Sequence, residues 1–357
     1  MKTVFKGKKI EGILSIVPQT EVLFEDEVSN YSFPVKQTLK LKKLMGYEKH
    51  RIVKDKTASS DLCIVGLKRI FSEGWIKKED IGAIIVVTST PDYQLPGVSS
   101  IIHGTFNLAN EVMCFDLMQG CTGFIQGLIQ AFMVLEHLVE KKVVLFNVDV
   151  LSKKVSKQDR NSYPLIGDAA AITILSNDIS ADDIYVNSYN DGSRRDALII
   201  PAGGSRMPCT SKTAEMKDKA NDGNYRSLDN LTMNGTDVFE FVQAEVPPMI
   251  DETIKFANCS ISDIDWMLFH QPNKFMLRKL VDKLEVPYEK VPMNIVENFG
   301  NSSGVCIPLN ITFNLANQLK TNSYKCCLSA FGSGLSWGAI ILNLENLNFC
   351  DLHISDC

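Results

Sequence analysis

Apolar residues along this chain fall into two patterns: near-continuous runs of strand length, and runs that recur at three- and four-residue steps. In the first half, "IGAIIVVTSTP" reads as a buried strand ending at a polar turn, and "EVMCFDLMQGC" as a strand running into a helix. "KKVVLFNVDV" and "AAAITILSN" follow as further strands. The second half repeats the order. "IDWMLFHQPN" ends at polar residues, "VPMNIVENFGN" leads into a helix, and "YKCCLSAFGSG" and "WGAIILNLE" close the series. Corresponding elements are offset by roughly 180 residues, too long a period for a solenoid.

Apolar strands separated by helices indicate an α/β fold whose central sheet is covered on both faces. The echo predicts a duplication, with residues 1–180 as an N-terminal half carrying Cys121 and 181–357 as a C-terminal half carrying His270 and Asn301. Both halves place polar residues where strands end, which is where ligands gather in open α/β sheets. A pseudo-twofold relation would bring the two sets to one pocket. The helix after Cys121 is marked by Phe124, Ile125, Leu128, Ile129, Phe132 and Leu135, with Gly123 and Gly127 allowing close packing. A second long helix is expected through "TDVFEFVQAEVPPMIDETIKFA", kinked or broken by Pro247 and Pro248. Between the halves, the polar stretch 203–231 is either a surface excursion or a flap over the pocket.

Composition narrows the function classes. At 357 residues the chain exceeds one typical domain. Its formal charge of -5 counts against nucleic acid as the main partner, since phosphate contacts need a basic face. No apolar run reaches the ~18 residues of a membrane span, and the opening "MKTVFKGKKIEGILSIVPQ" reads as a first strand rather than a signal peptide. Ten cysteines occur without a C-x-x-C pair, several inside strand-like runs such as Cys326 and Cys327, which fits reduced thiols in a cytoplasmic protein. Cys350, His353 and Cys357 in the tail are too few to close a metal site, so a frayed end is expected, with no metal and no cofactor.

The candidate chemistry starts at "DLMQGCTGF". A cysteine at a helix N-terminus feels the positive end of the helix dipole and unpaired amides, both of which favour thiolate, while Gly120 and Gly123 permit a tight turn. A thiolate there can attack a thioester carbonyl. His270 closes a strand in "LFHQPN", Asn301 lies in "ENFGNSSG", and the turn "FGSGLSWG" can aim a backbone N–H at a developing oxyanion. Each has a plainer reading: a structural histidine, a helix cap or turn residue, a tight bend.

Taken together, "FDLMQGCTGF", "LIGDAAAITIL", "NDGS" with "LTMNGTDVF", "DIDWMLFHQPN", "NFGNSSG" and "FGSGLSWGAIIL" closely resemble the β-ketoacyl-acyl-carrier-protein synthase III family, in family order over nearly the whole chain. The resemblance implies a thiolase-like duplicated αβαβα fold and a Cys121, His270, Asn301 triad. It also implies decarboxylative Claisen condensation of an acyl primer with malonyl-acyl-carrier protein. Thiolases carry a second cysteine at the C-terminal glycine-rich turn, whereas Ser329 and Ala330 precede it here. Chain-elongating synthases carry a second histidine where this chain has Asn301. The backbone N–H groups of Cys121 and Ser333 would form the oxyanion hole. Condensation with a neutral imidazole requires His270 to have a lowered pKa.

The family's clamp for the adenine end of coenzyme A, a tryptophan with an arginine, is absent from "TLKLKKLMGYEKHRIV", although Arg160 matches the other adenine-contacting position. Arg160 and Asn273 are the candidate substrate-binding side chains. Lys274, Arg278 and Lys279 follow at helical spacing as either a docking surface for an acidic acyl carrier protein or a solvated helix face. Acyl-CoA remains possible as donor, and a homodimer is expected from the resemblance. Two other functions use the same residues: acyl transfer from Cys121 to an alcohol or amine without condensation, and a catalytically silent partner subunit.

Overall fold

The computed structural model describes residues 1–218 and 221–357. Six strands form one sheet, in the spatial order Phe349–Ser355, Lys8–Pro18, Ala169–Asn177, Lys142–Asp149, Ile81–Val87, Met113–Leu117. Five form a second, in the order Lys2–Phe5, Ile184–Asn190, Ser336–Glu345, Ser323–Gly332, Trp266–Phe269. Each sheet mixes parallel and antiparallel neighbours. The continuous apolar runs are what a strand buried on both faces requires.

Helices make the other three layers. Ser59–Ser72 and Val98–Phe106 cover the outer face of the six-stranded sheet through Leu62, Leu67, Ile70 and Ile102. Gly235–Phe256 and Lys274–Leu284 cover the outer face of the five-stranded sheet through Phe241, Ile250, Leu277 and Leu280. Between the sheets lie Gly123–Leu135 and Cys306–Asn314, one from each half of the chain. Apolar residues surround Gly123–Leu135 because both its faces meet a sheet. A Cβ at Gly123 would stand 2.9 Å from Val87 Cγ1, and one at Gly127 2.8 Å from Leu145 Cδ1, so glycine sets how closely this helix approaches the sheet. The layering is the duplicated αβαβα arrangement expected of a thiolase-like fold. Among the described residues no helix is long and apolar enough to cross a membrane.

The two ends of the chain exchange sheets. Lys2–Phe5 pairs with Ile184–Asn190 in the five-stranded sheet, and Phe349–Ser355 pairs with Lys8–Pro18 in the six-stranded one. The C-terminal residues are therefore an ordered edge strand, not a frayed tail. Phe349 stacks on Trp75 with ring centroids 4.2 Å apart, and Arg69 holds Asp351 at 2.5 Å and His353 Nδ1 at 2.8 Å. The open edge of a long strand recruited a segment whose own sequence is short and polar.

The long helix is not broken: Gly235–Phe256 runs through Pro247 and Pro248. Proline cannot donate to the carbonyl four residues earlier. Lys283 Nζ supplies that bond to the Gln243 carbonyl at 2.7 Å, while Ala244 faces water. The polar stretch between the halves packs as an excursion on 156–160: Ser156 Oγ donates to the Tyr225 carbonyl, and Arg226 pairs with Asp159 at 2.5 Å. Positions 219 and 220 of that stretch lie outside the described residues.

Candidate active site

Cys121 sits in the turn between Met113–Leu117 and the central helix, closed by the Gly123 amide donating to the Gly120 carbonyl at 2.7 Å. The FGSG turn of the other half presses against it. A Cβ on Gly332 would fall 2.4 Å from Cys121 Cβ and 2.9 Å from its Sγ, so only glycine lets the two turns meet. Thr122 Oγ1 and Ser336 Oγ join them at 2.8 Å, and Asp191 of "NDGS" exchanges backbone hydrogen bonds of 2.7 and 3.0 Å with Leu335. The backbone N–H groups of Ser333 and of Cys121 itself both aim at the sulfur.

The resting form of this cysteine is not the expected thiolate. Burial, reinforced by the charge of Asp149, pushes the thiol up to about 11, against the opposing pull of the two amides and the Ser303 hydroxyl. The amide donors act in the direction foreseen, but desolvation of the charged sulfur is the larger effect.

His270 follows Trp266–Phe269 and is 2 % exposed, its backbone amide held by the Ser329 carbonyl at 2.9 Å. Burial drives its pKa down to about 4, slightly offset by the Ser303 backbone, so the imidazole is neutral at pH 7 as condensation requires. Asn301 is fixed on its main chain by the Leu165 carbonyl at 2.5 Å and the Gly167 amide at 3.1 Å. Its Oδ1 accepts from the Ser303 amide at 2.9 Å and from the Cys306 thiol at 3.2 Å. Ser303 is the shared neighbour of all three: its hydroxyl faces Cys121, its backbone faces His270, and its amide holds Asn301. It occupies the left-handed region at φ 56°, uncommon for a residue with a side chain and a local strain that the surrounding contacts sustain.

Several residues of this cluster carried no signal in the sequence. Asp149, 1 % exposed, ends Lys142–Asp149 and accepts from the Ser89 amide at 2.8 Å, Ser89 Oγ at 2.7 Å and Thr90 Oγ1 at 3.1 Å. Cys306 opens the second central helix five positions after Asn301, a spacing that meant nothing until the 3-10 turn Ser303–Val305 folded it back.

The remaining candidates separate. Asn273 caps Lys274–Leu284, its Oδ1 accepting from the Met276 amide at 2.8 Å, so that oxygen is committed to the helix. Lys274 is tied to Glu297 at 3.1 Å, and its side chain packs against Gly46. Arg278 and Lys279 are exposed, the latter 3.9 Å from Asp282. The Arg160 guanidinium lies 3.4 Å from the ring centroid of Phe33. A Cβ at Gly223 would touch that same ring at 2.9 Å, and the Arg160 amide donates to Asn224 at 2.9 Å. Phe33, upstream of the stretch where an aromatic was expected, stacks on the arginine directly.

Known proteins are similar to this chain in sequence and fold. Family profiles described as 3-Oxoacyl-[acyl-carrier-protein (ACP)] synthase III and its C-terminal domain match residues 115–192 and 254–344. A relative from Campylobacter jejuni, named putative 3-oxoacyl-[acyl-carrier-protein] synthase 3, is 31% identical over 355 residues, covering 97% of both chains. A Nostoc sp. protein named beta-ketoacyl-[acyl-carrier-protein] synthase III is 31% identical over 94% of this chain and 97% of its own. The crystal structure of a 3-oxoacyl-(acyl-carrier protein) synthase from Burkholderia xenovorans superposes with a TM-score of 0.92 at 29% identity, over 99% of each chain.

Proposed function

The chain belongs to the 3-oxoacyl-[acyl-carrier-protein] synthase III family, and from that premise we propose that it condenses an acyl primer with malonyl-acyl-carrier protein through an acyl-Cys121 thioester. The observation that carries this reading is the convergence of a thiol, a neutral imidazole and an oriented carboxamide on Ser303. Simple acyl transfer needs no site for an enolate; two neutral donors beside the thiol suit one.

Cys121 attacks the primer thioester, its proton passes to the departing thiol, and the acyl group rests on sulfur. The Cys121 and Ser333 amides would hold the oxyanion of that step. Malonyl thioester then loses carbon dioxide. The electron pair left behind spreads onto its thioester oxygen, where the His270 N–H and Asn301 Nδ2 groups donate. A protonated histidine would bind that anion too tightly to release it to the next bond, and a pKa near 4 keeps the ring neutral. The enolate carbon attacks the acyl-cysteine, the C–S bond breaks, and the released sulfur takes up the one proton the reaction consumes.

The Arg160–Phe33 stack favours a donor held by a carrier protein over one held by a nucleotide, because the guanidinium face is already covered. Exposed Arg278 and Lys279 suit an acidic carrier. A homodimer is part of the same reading: Met113–Leu117 is an unpaired sheet edge flanked by exposed Met113 and Met118.

Intact-protein mass spectrometry with acyl-CoA and acyl-carrier thioesters, paired with carbon dioxide release from malonyl thioester, tests the proposal. Asn301→Ala is expected to acquire the acyl mass and to release no carbon dioxide. Acylation of Cys121→Ala, or an Asn301→Ala enzyme that condenses normally, would reject it.

A further inference from the structure

An asparagine carboxamide is a donor at one end and an acceptor at the other, and its terminal torsion is broad and nearly two-fold. Nothing intrinsic to Asn301 therefore decides which end faces the site. Its main-chain bonds to Leu165 and Gly167 place Cα and leave the amide free to turn over. Two contacts remove that freedom. The Ser303 amide donates to Oδ1 at 2.9 Å, and the Cys306 thiol donates to the same atom at 3.2 Å. Both lone pairs of Oδ1 are then used, and the Nδ2 arm takes the opposite side, where Asn301 is partly open.

Cys306 is suited to that task. It is fully buried at the first position of Cys306–Asn314, so its thiol lies beyond the reach of water. Burial pushes its pKa up to about 12, which keeps the S–H bond intact as a donor across the working pH range. The Gln271 and Ser302 backbones, the Ser302 hydroxyl at 3.9 Å and Cys121 are its other polar neighbours. The reaction proposed above uses none of these atoms.

We propose that Cys306 is a positioning residue, its thiol fixing the Asn301 carboxamide with Nδ2 toward the reacting groups. The catalytic consequence rests on the condensation reading; the orientation itself does not. Losing the thiol leaves Oδ1 with the Ser303 amide alone, and a turned amide presents an acceptor where the enolate needs a donor.

Cys306→Ala and Cys306→Ser separate this from packing. In Cys306→Ala, carbon dioxide release from malonyl thioester is expected to fall about tenfold while Cys121 acylation stays near wild type; in Cys306→Ser the shorter but stronger hydroxyl donor restores release to within about threefold. A packing role would instead lower the melting temperature of both variants and slow both half-reactions together. Spectra of protein carrying 15N-labelled asparagine test the orientation without catalysis. The side-chain NH2 pair that vanishes in Asn301→Asp is assigned to Asn301. That pair should move in Cys306→Ala and return in Cys306→Ser. If it stays in place in Cys306→Ala, the inference is overturned whatever the enzyme does; if the wild type releases no carbon dioxide, it is the condensation reading that fails.

Discussion

Two cysteines stand near the starts of the two central helices, one in each half of the chain, and they differ in access and in the acceptor beside them. Cys121 lies in an open turn between glycines, partly exposed, with two backbone N–H groups and a serine hydroxyl aimed at its sulfur. Cys306 sits inside the first turn of its helix, sealed from solvent, and uses its hydrogen to hold Asn301. Burial raises both, to about 11 and about 12, so acidity alone does not separate the proposed nucleophile from the proposed positioning group. N–H and hydroxyl donors face both sulfurs, so the separation comes from access and from the Asn301 oxygen beside Cys306, an acceptor that keeps its thiol protonated.

The strongest way to break this contrast is alkylation. In native protein, iodoacetamide is expected to modify Cys121 at least about a hundredfold faster than Cys306, with equal labelling of both after denaturation, as peptide mass spectrometry would show. Comparable native rates would mean that the second site is open and that the contrast is wrong. A sharper probe is the contact that opens one site and not the other. Gly332→Ala puts a methyl 2.4 Å from Cys121 Cβ, so the two turns must part. Acylation is expected to slow about a hundredfold, the scale of a small displacement at a reacting atom, and the Asn301 amide signal should stay in place.

Acid titration gives the smallest effect. With His270 near 4, decarboxylation should hold steady through pH 6.5, where an ordinary histidine would already be half charged, and decline only as pH approaches 4. The folded pKa lies below the unfolded one, so the unfolded chain binds the extra proton first. Stability from this group is therefore present above pH ~6.5 and is lost as pH falls through about 4. A rate that halves near 6.5 would show that the imidazole is solvated, and the dry site would have to be abandoned.

Much of the fold was legible because burial on both faces leaves a mark: continuous strand runs and a helix apolar all round are written into 81–87, 142–149 and 123–135. His270 was legible through motif and strand-end position, and Asn301 through its motif alone, because it follows the short helix Ile295–Phe299 rather than a strand. Cys306 was not, since a cysteine after a glycine-rich turn looks like any core residue until an acceptor is found beside it. Phe33 carried no such signal, because its partner, Arg160, is remote in sequence and only the fold brings the two together. Pro247 and Pro248 do not break their helix, and the Gln243 carbonyl that Pro247 leaves unpaired is held by Lys283, from a different helix.

Local chemistry and period therefore determined the α/β class, the duplication and the turns that carry Cys121, His270 and Asn301, since each depends on a few consecutive side chains. Tertiary structure decided the protonation states and orientations. Whether Cys121 rests as thiol, whether His270 is neutral and which way Asn301 points all depend on desolvation and on hydrogen-bond partners such as Ser303 and Ser333. Desolvation is a property of everything packed around a group, and no local stretch of sequence contains it.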